Sequence, residues 1–481
     1  MHLPSGCRRP FRAGLVVSRA RRDGLMPVGE SRRPVSDNVV AYADQALLLA
    51  LRGAGQEAVM QLIWIYEHDL DLDGVRRFHQ NFGRGLVGRL IERSPLPFGR
   101  HRWVSVAGPQ APLEIVENPR PREELWDWAH EQVELPLDPE RSPAWRMGVQ
   151  SFSDGTKAVS LVVSHTIVDG GGVVVSVLAA VHGTGKDLGY PPRFSRTRGR
   201  AVLEDLRQLG ADLPEIGRTL VKAIKVATRR KDELVRPSAP AATPVGGGNQ
   251  PVMTAVAAAL IDKDHWDQRA KELGGNHFSL VAGFAGKLAQ HLGRTRSSDG
   301  AATLMIPVSE RDNPGDTGGN VVTIANVTFD PDPVAKDLSG ARTAIKAGLI
   351  TARERPDEMV ELLPLIPFLP KRAMGRMADM AFNFSADVPV SCSNMGDVPD
   401  DLLRLDGTEA ERFYFGGVDR NLTLDVLERR RGLMSVMSAR LGGRVILPVF
   451  RYQPGADNSR ARLREAIAKT LAEFELSGVI E

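Results

Sequence analysis

Only two cysteines occur in 481 residues, Cys7 and Cys392, far apart and without metal-ligand spacing. That scarcity excludes a disulfide framework and a zinc site, and makes a reducing, cytoplasmic compartment the expectation. Long clean apolar runs are also lacking. The longest, Ala158 to Val181, is broken by Ser164, His165, Asp169 and three glycines, so it does not make a spanning helix of about 20 residues. Peripheral contact with a membrane surface stays open. No excess of one charge exists either: 62 Lys and Arg face 59 Asp and Glu, a formal charge of +3, which argues against a nucleic-acid partner. Neither a phosphate-binding loop nor a dinucleotide fingerprint is present, so no nucleotide-driven chemistry is indicated. His68, His79, His101, His130, His182, His265, His277 and His291 show no paired spacing with carboxylates, and neither a metal nor a bound cofactor is expected.

What is present is an ordinary globular composition, 42% hydrophobic and 25% charged. The length suits two core-bearing domains, because single cores stop growing at about 250–300 residues. Residues 1–37 are arginine-rich without hydrophobic periodicity and read as a disordered or mis-started tail, with Met26 a second plausible beginning. Gly14 to Val17 is too short for a secretory signal. Residues 38–190 then form a first domain, 191–250 a crossover helix and linker, and 251–481 a second domain. The linker shows as the Ala/Pro/Gly stretch Pro237 to Gln250 after a long amphipathic helix from Ala201 to Arg230.

Periodicity places a helix at Ala41 to Gly53 and a strand at Val59 to Tyr66. Asp73 is the expected cap of a helix in which Val75, Phe78, Phe82, Leu86, Leu90 and Ile91 recur. Strands Arg146 to Phe152 and Ala158 to Val163 flank a hairpin turn at Asp154-Gly155. The second half restarts with a strand at Thr254 to Ile261. Further helices are expected at Ser279 to Leu292, Lys371 to Ala381 and Ser459 to Phe474, with a hairpin at Gly442-Gly443. The fold class that follows is mixed α/β with two similar-sized domains.

Directly after the strand Ala158 to Val163 comes Ser164-His165-Thr166-Ile167-Val168-Asp169-Gly170, with Gly171 and Gly172 behind it. A histidine at the exit of a buried strand is held in a fixed orientation, and its ordinary pKa suits proton transfer near neutrality. These residues resemble the CoA-dependent acyltransferase superfamily. It includes wax ester synthase/diacylglycerol acyltransferases, polyketide-associated acyltransferases, peptide-synthetase condensation domains and chloramphenicol acetyltransferase. The superfamily signature is His-His-x-x-x-Asp-Gly, with the second histidine as general base. Here Ser164 replaces the first histidine, and His165, Asp169 and Gly170 are kept.

Three more segments resemble the family in order: Leu135-Pro-Leu-Asp138 with Ser142-Pro-Ala-Trp145, Ile306-Pro-Val-Ser-Glu-Arg311 with Gly319-Asn320, and Val390-Ser-Cys-Ser-Asn394-Met-Gly396. Together they span Ala41 to Ser477. The resemblance implies two chloramphenicol acetyltransferase-like domains with a tunnel at their interface and His165 as general base. It implies that Asp169 supports the loop by pairing with an arginine, for which Arg311 is the candidate, while Gly170 allows a tight turn. Asn394, Ser393, Asn320 and Ser164 are candidates to contact the oxyanion or substrate. The implied reaction moves an acyl group, long-chain by the wax synthase-like features, from acyl-CoA as co-substrate to a hydroxylated, lipid-like acceptor. A condensation-type enzyme with an acyl carrier protein as donor is the nearest alternative. A non-catalytic binding protein of the same fold is the second, and the serine at position 164 favours it.

Overall fold

A computed structural model describes residues 38–53, 55–106, 108, 110–229, 251–311, 316–354, 361–369 and 388–481. The tail 1–37, most of the linker and the helix expected at Lys371 to Ala381 lie outside the described residues. The strands are β1 (Glu57–Tyr66), β2 (Arg89–Glu92), β3 (Arg102–Ser105), β4 (Leu113–Arg120), β5 (Trp145–Phe152), β6 (Lys157–Ser164) and β7 (Ala255–Asp262). They continue with β8 (Ala302–Ser309), β9 (Val322–Phe329), β10 (Val390–Asp397), β11 (Arg412–Arg420), β12 (Leu433–Leu441), β13 (Arg444–Tyr452) and β14 (Gly478–Ile480). The α-helices are α1 (Tyr42–Gly53), α2 (Leu72–Phe82), α3 (Leu125–Glu134), α4 (Gly170–Val181) and α5 (Arg198–Arg229). After them come α6 (Lys263–Glu272), α7 (His277–His291), α8 (Ser339–Glu354), α9 (Leu424–Arg429) and α10 (Arg460–Glu473).

Two sheets carry the fold, each with its own apolar core. The first runs β11-β1-β6-β5-β4 and the second β14-β7-β13-β12-β10-β8-β9. Strands β1 and β6 are the apolar, β-branched centre of the first sheet and are buried on both faces, which only an interior strand covered by helices achieves. Strand β11, from the second half of the chain, closes the edge of this sheet by pairing antiparallel along β1. The turn at Gly155 has φ +87°, and Gly442 and Gly443 both have positive φ, as a two-residue hairpin demands.

One helix is shorter than its periodicity suggests. Asp71, not Asp73, caps α2 by accepting from the Asp73 N–H at 3.0 Å. The helix stops at Phe82 because Gly83, Gly85 and Gly88 follow, with Gly85 at φ +68°. Leu90 and Ile91 therefore belong to β2 and not to the helix.

Candidate active site

His165 lies one residue beyond β6, and its backbone N–H still donates to the Ala58 carbonyl of β1 at 2.9 Å. Val59 pairs with Ser164 and Ala58 with Asp419, so His165, Ala58 and Asp419 lie in one row across β6, β1 and β11. Directly opposed residues share a face, which puts the imidazole and the Asp419 carboxylate on the same side of the sheet. The His165 Nδ1 is buried and has no hydrogen-bond partner among the described residues. Its ring is therefore not consumed by the fold.

The turn after His165 is held by charged groups that are themselves buried. Asp169 caps α4, its Oδ1 accepting from the Gly172 N–H at 2.7 Å. Its Oδ2 accepts from Arg311 Nη2 at 2.9 Å and from the Val321 N–H at 3.0 Å. Both side chains are nearly sealed, 4% exposed for Asp169 and 7% for Arg311. Arg311 also donates to the Asp316, Gly318 and Gly319 carbonyls. Gly170 opens α4 without the positive φ of a tight glycine turn, and a Cβ there would meet Met395 Sδ on β10 at 3.4 Å, an ordinary van der Waals contact.

Two of the expected substrate contacts are already engaged elsewhere. Asn320 spends its amide N–H groups on Asp44 Oδ1 and on the His165 carbonyl, both at 3.0 Å. It bolts the histidine backbone and has no free N–H for an oxyanion. The Ser164 hydroxyl is buried and shares a hydrogen bond with Thr166 Oγ1 at 2.7 Å. Asn394 Oδ1 accepts from Ser438 Oγ, the Gly396 N–H and His277 Nε2. It shares its strand face with Cys392, which is sealed in the second core with its thiol pushed up to about 12 by burial. Ser393 occupies the opposite face. Its neighbours on that face are Ser391, which lines a cavity of about 190 Å³, and Met395, which lines one of about 50 Å³.

Two site residues carry no motif. Asp44 lies with Leu48 and Leu51 on the buried stripe of α1, and a carboxylate on such a stripe is the signal that points to it. It accepts from the Asn320 N–H at 2.7 Å and the Gly319 N–H at 3.3 Å. Burial pushes its carboxyl up, against the pull of those hydrogen bonds and of the Arg89 charge. Arg89 is buried as well, donates to the Ile167 carbonyl at 2.7 Å and lies over the Trp103 ring. Asp419 is the second, an acid in the otherwise aromatic and glycine-rich β11. It pairs with Arg430 at 3.3 Å, and its 33% exposed surface opens onto the 190 Å³ cavity that Arg294, Ser391 and Ser435 also line. Burial raises its carboxyl above the ordinary value, while the Arg430 and His165 charges pull it back.

No family model matches the chain, and no curated protein matches it. Solved structures do. The first condensation domain of the calcium-dependent antibiotic synthetase, in complex with a substrate analogue, is 13% identical with a TM-score of 0.53, covering 90% of this chain and 96% of that one. The wax ester synthase/diacylglycerol acyltransferase from Marinobacter aquaeolei VT8 is 15% identical with a TM-score of 0.50, covering 91% and 98%. Against the nonribosomal peptide synthetase FmoA3, at 16% identity and a TM-score of 0.48, the chain spans 45% of that protein's length. The fold is the two-lobed fold shared by condensation domains and wax ester synthase/diacylglycerol acyltransferases, to which the sequence motifs point. Among the described residues no cluster of side chains suits a metal ion, and no helix is long and apolar enough to cross a membrane.

Proposed function

We propose that the protein is an O-acyltransferase, moving an acyl group from a thioester to a hydroxyl acceptor with His165 as general base. The observation that carries this is the unspent imidazole, held by its backbone on both sides, with the Asp419 carboxylate in its row on the same side of the sheet. The imidazole takes the proton of the acceptor hydroxyl as that oxygen bonds to the thioester carbonyl carbon. The tetrahedral species collapses with loss of the C–S bond, and the proton passes from the imidazolium to the departing thiolate. Positioned proton transfer of this kind is worth about 10²–10⁴-fold in rate. Ser393 is the candidate we assign to the oxyanion, on the cavity-facing side of β10.

The cavities support an apolar acyl chain. One of about 310 Å³ is lined by Ile63, Trp126, Val256, Phe415 and Phe450, and the 50 Å³ one by Met60, Met395, Met437 and Phe413. Both border β11, as does the cavity holding Asp419. Pliable methionine and aromatic walls suit a long hydrocarbon better than a small polar acyl group.

The test is thiol release and product formation from palmitoyl-CoA, and from a palmitoylated carrier protein, with fatty alcohol, diacylglycerol and amine acceptors. Ester formation from the CoA donor supports the full reading. Turnover with the carrier donor alone moves the protein to the condensation type. Tight acyl-CoA binding without thiol release overturns the enzyme reading in favour of a binding protein.

A further inference from the structure

Helix α5 leaves an apolar stripe uncovered. Its 32 residues span about 48 Å, and the side it turns to the body mixes polar residues with Ala201 and the half-buried Leu209 and Ile216. Asp205 is 2% exposed and accepts from Arg102, Arg196 and Ser94 Oγ, the last at 2.6 Å. Asp212 pairs with Arg100 at 3.7 Å, and Thr219 is buried on the same side. A flank about 100° round the helix from these anchors is apolar and open. Leu206, Leu213, Leu220 and Ile224 follow one another at steps of 7, 7 and 4, and each is between 48% and 57% exposed. Steps of 7 and 4 keep residues on one helical stripe. Charged anchors hold this helix against the protein, and its apolar stripe is left outward.

A row of cations borders that stripe. Arg207, Arg218 and Lys225 recur at steps of 11 and 7, all exposed and without an ion pair among the described residues. At 100° per residue the row lies about 120° round from those four residues, and the exposed Leu203 and Val221 fill the sector between, so the cations edge the apolar surface on one side. An isologous antiparallel pairing of two copies of α5 would lay each basic row against its equivalent, which repels. An anionic surface complements it.

We propose that α5 docks the protein on an anionic lipid surface, lying in the plane of the interface. Leu206, Leu213, Leu220 and Ile224 enter the acyl boundary, and Arg207, Arg218 and Lys225 meet the headgroups. An apolar stripe edged by Arg and Lys is the combination that binds such interfaces, by buried area together with attraction to anionic lipid. The inference stands on α5 alone and does not depend on the acyl-transfer reading.

The experiment is flotation of the full chain with vesicles of phosphatidylcholine alone or with added phosphatidylglycerol, at low and high salt. Wild type, Leu213→Glu/Leu220→Glu and Arg207→Glu/Arg218→Glu/Lys225→Glu are compared, with equal melting temperatures confirming the fold. The expected result is flotation of wild type with the phosphatidylglycerol vesicles only, weakened by salt, and at least about a tenfold loss in both variants. Wild type that fails to float overturns the proposal, as do variants that float equally well. A doubled mass in light scattering that the leucine variant restores to monomer, without flotation, overturns it in favour of a contact between copies.

Discussion

At the scale of single residues the site depends on charge placed where water is scarce. Two strand spacings separate His165 from Asp419, about 9.5 Å between backbones. A carboxylate at that distance stabilises an imidazolium by about 1–2 kcal/mol at an effective dielectric constant of about 20. Asp419→Asn is therefore expected to slow turnover about tenfold with the acyl-donor KM unchanged, and to lower the melting temperature because the buried Arg430 loses this charge partner. Steady-state rates of the variant check this, and unchanged turnover would remove Asp419 from the site. Asp169 sits in a different place. Its oxygens accept from Arg311, Gly172 and Val321, and the buried His165 Nδ1 has no hydrogen-bond partner among the described residues, so Asp169 does not hold that nitrogen.

At the scale of elements, the turn between β6 and α4 is clamped by the segment 316–321, which reaches it from the other sheet. Gly319 is packed against the acid of α1: a Cβ there would lie 2.6 Å from Asp44 Oδ2, and its carbonyl receives the Asp169 N–H at 3.0 Å. Gly319→Ala must push Asp44 away and with it Asn320, which holds the His165 carbonyl. The expected outcome is a melting temperature lower by several degrees, for a cost of about 1–3 kcal/mol, together with reduced turnover. Unchanged melting and rate would show that the clamp is dispensable.

Much of this element was legible in the sequence. His165 follows a buried strand, glycines mark the turn, and Arg311 and Gly319-Asn320 stand in a recognisable segment. What a motif does not carry is direction. Asn320 has the donor chemistry of an oxyanion contact, yet Asp44 captures it from a helix 276 residues away in sequence. Asp419 reaches the His165 row only because β11 crosses to the first sheet. That pairing is set by tertiary packing and not by local pattern.

At the scale of the whole molecule, the exchange of β11 ties the two sheets together, so the site and the stability of the fold are linked. One buried group makes that stability depend on pH. His101 is sealed beneath α1, and burial lowers its pKa to about 4 from an ordinary 6.5. The unfolded chain then binds this proton more readily than the folded one between those values. Stability is complete above pH 6.5, falls as the pH drops toward 4, and loses about 3 kcal/mol in all from this residue. Urea unfolding across that range is expected to show a shallower loss in His101→Gln than in wild type. Coincident slopes would contradict the assignment. The long helix α5 had the pattern of an ordinary core-facing helix; its apolar stripe is left on an open flank because Asp205 and Asp212 find arginines on the body, which no periodicity reveals.

The central claim is that His165 is the general base, and its most direct test is acyl transfer by His165→Ala beside wild type. Purified proteins receive palmitoyl-CoA and a long-chain alcohol, with free thiol and ester product followed together. The account predicts ester from wild type and at least about a hundredfold less from the variant, with the melting temperature unchanged. Equal ester formation by both proteins would contradict it.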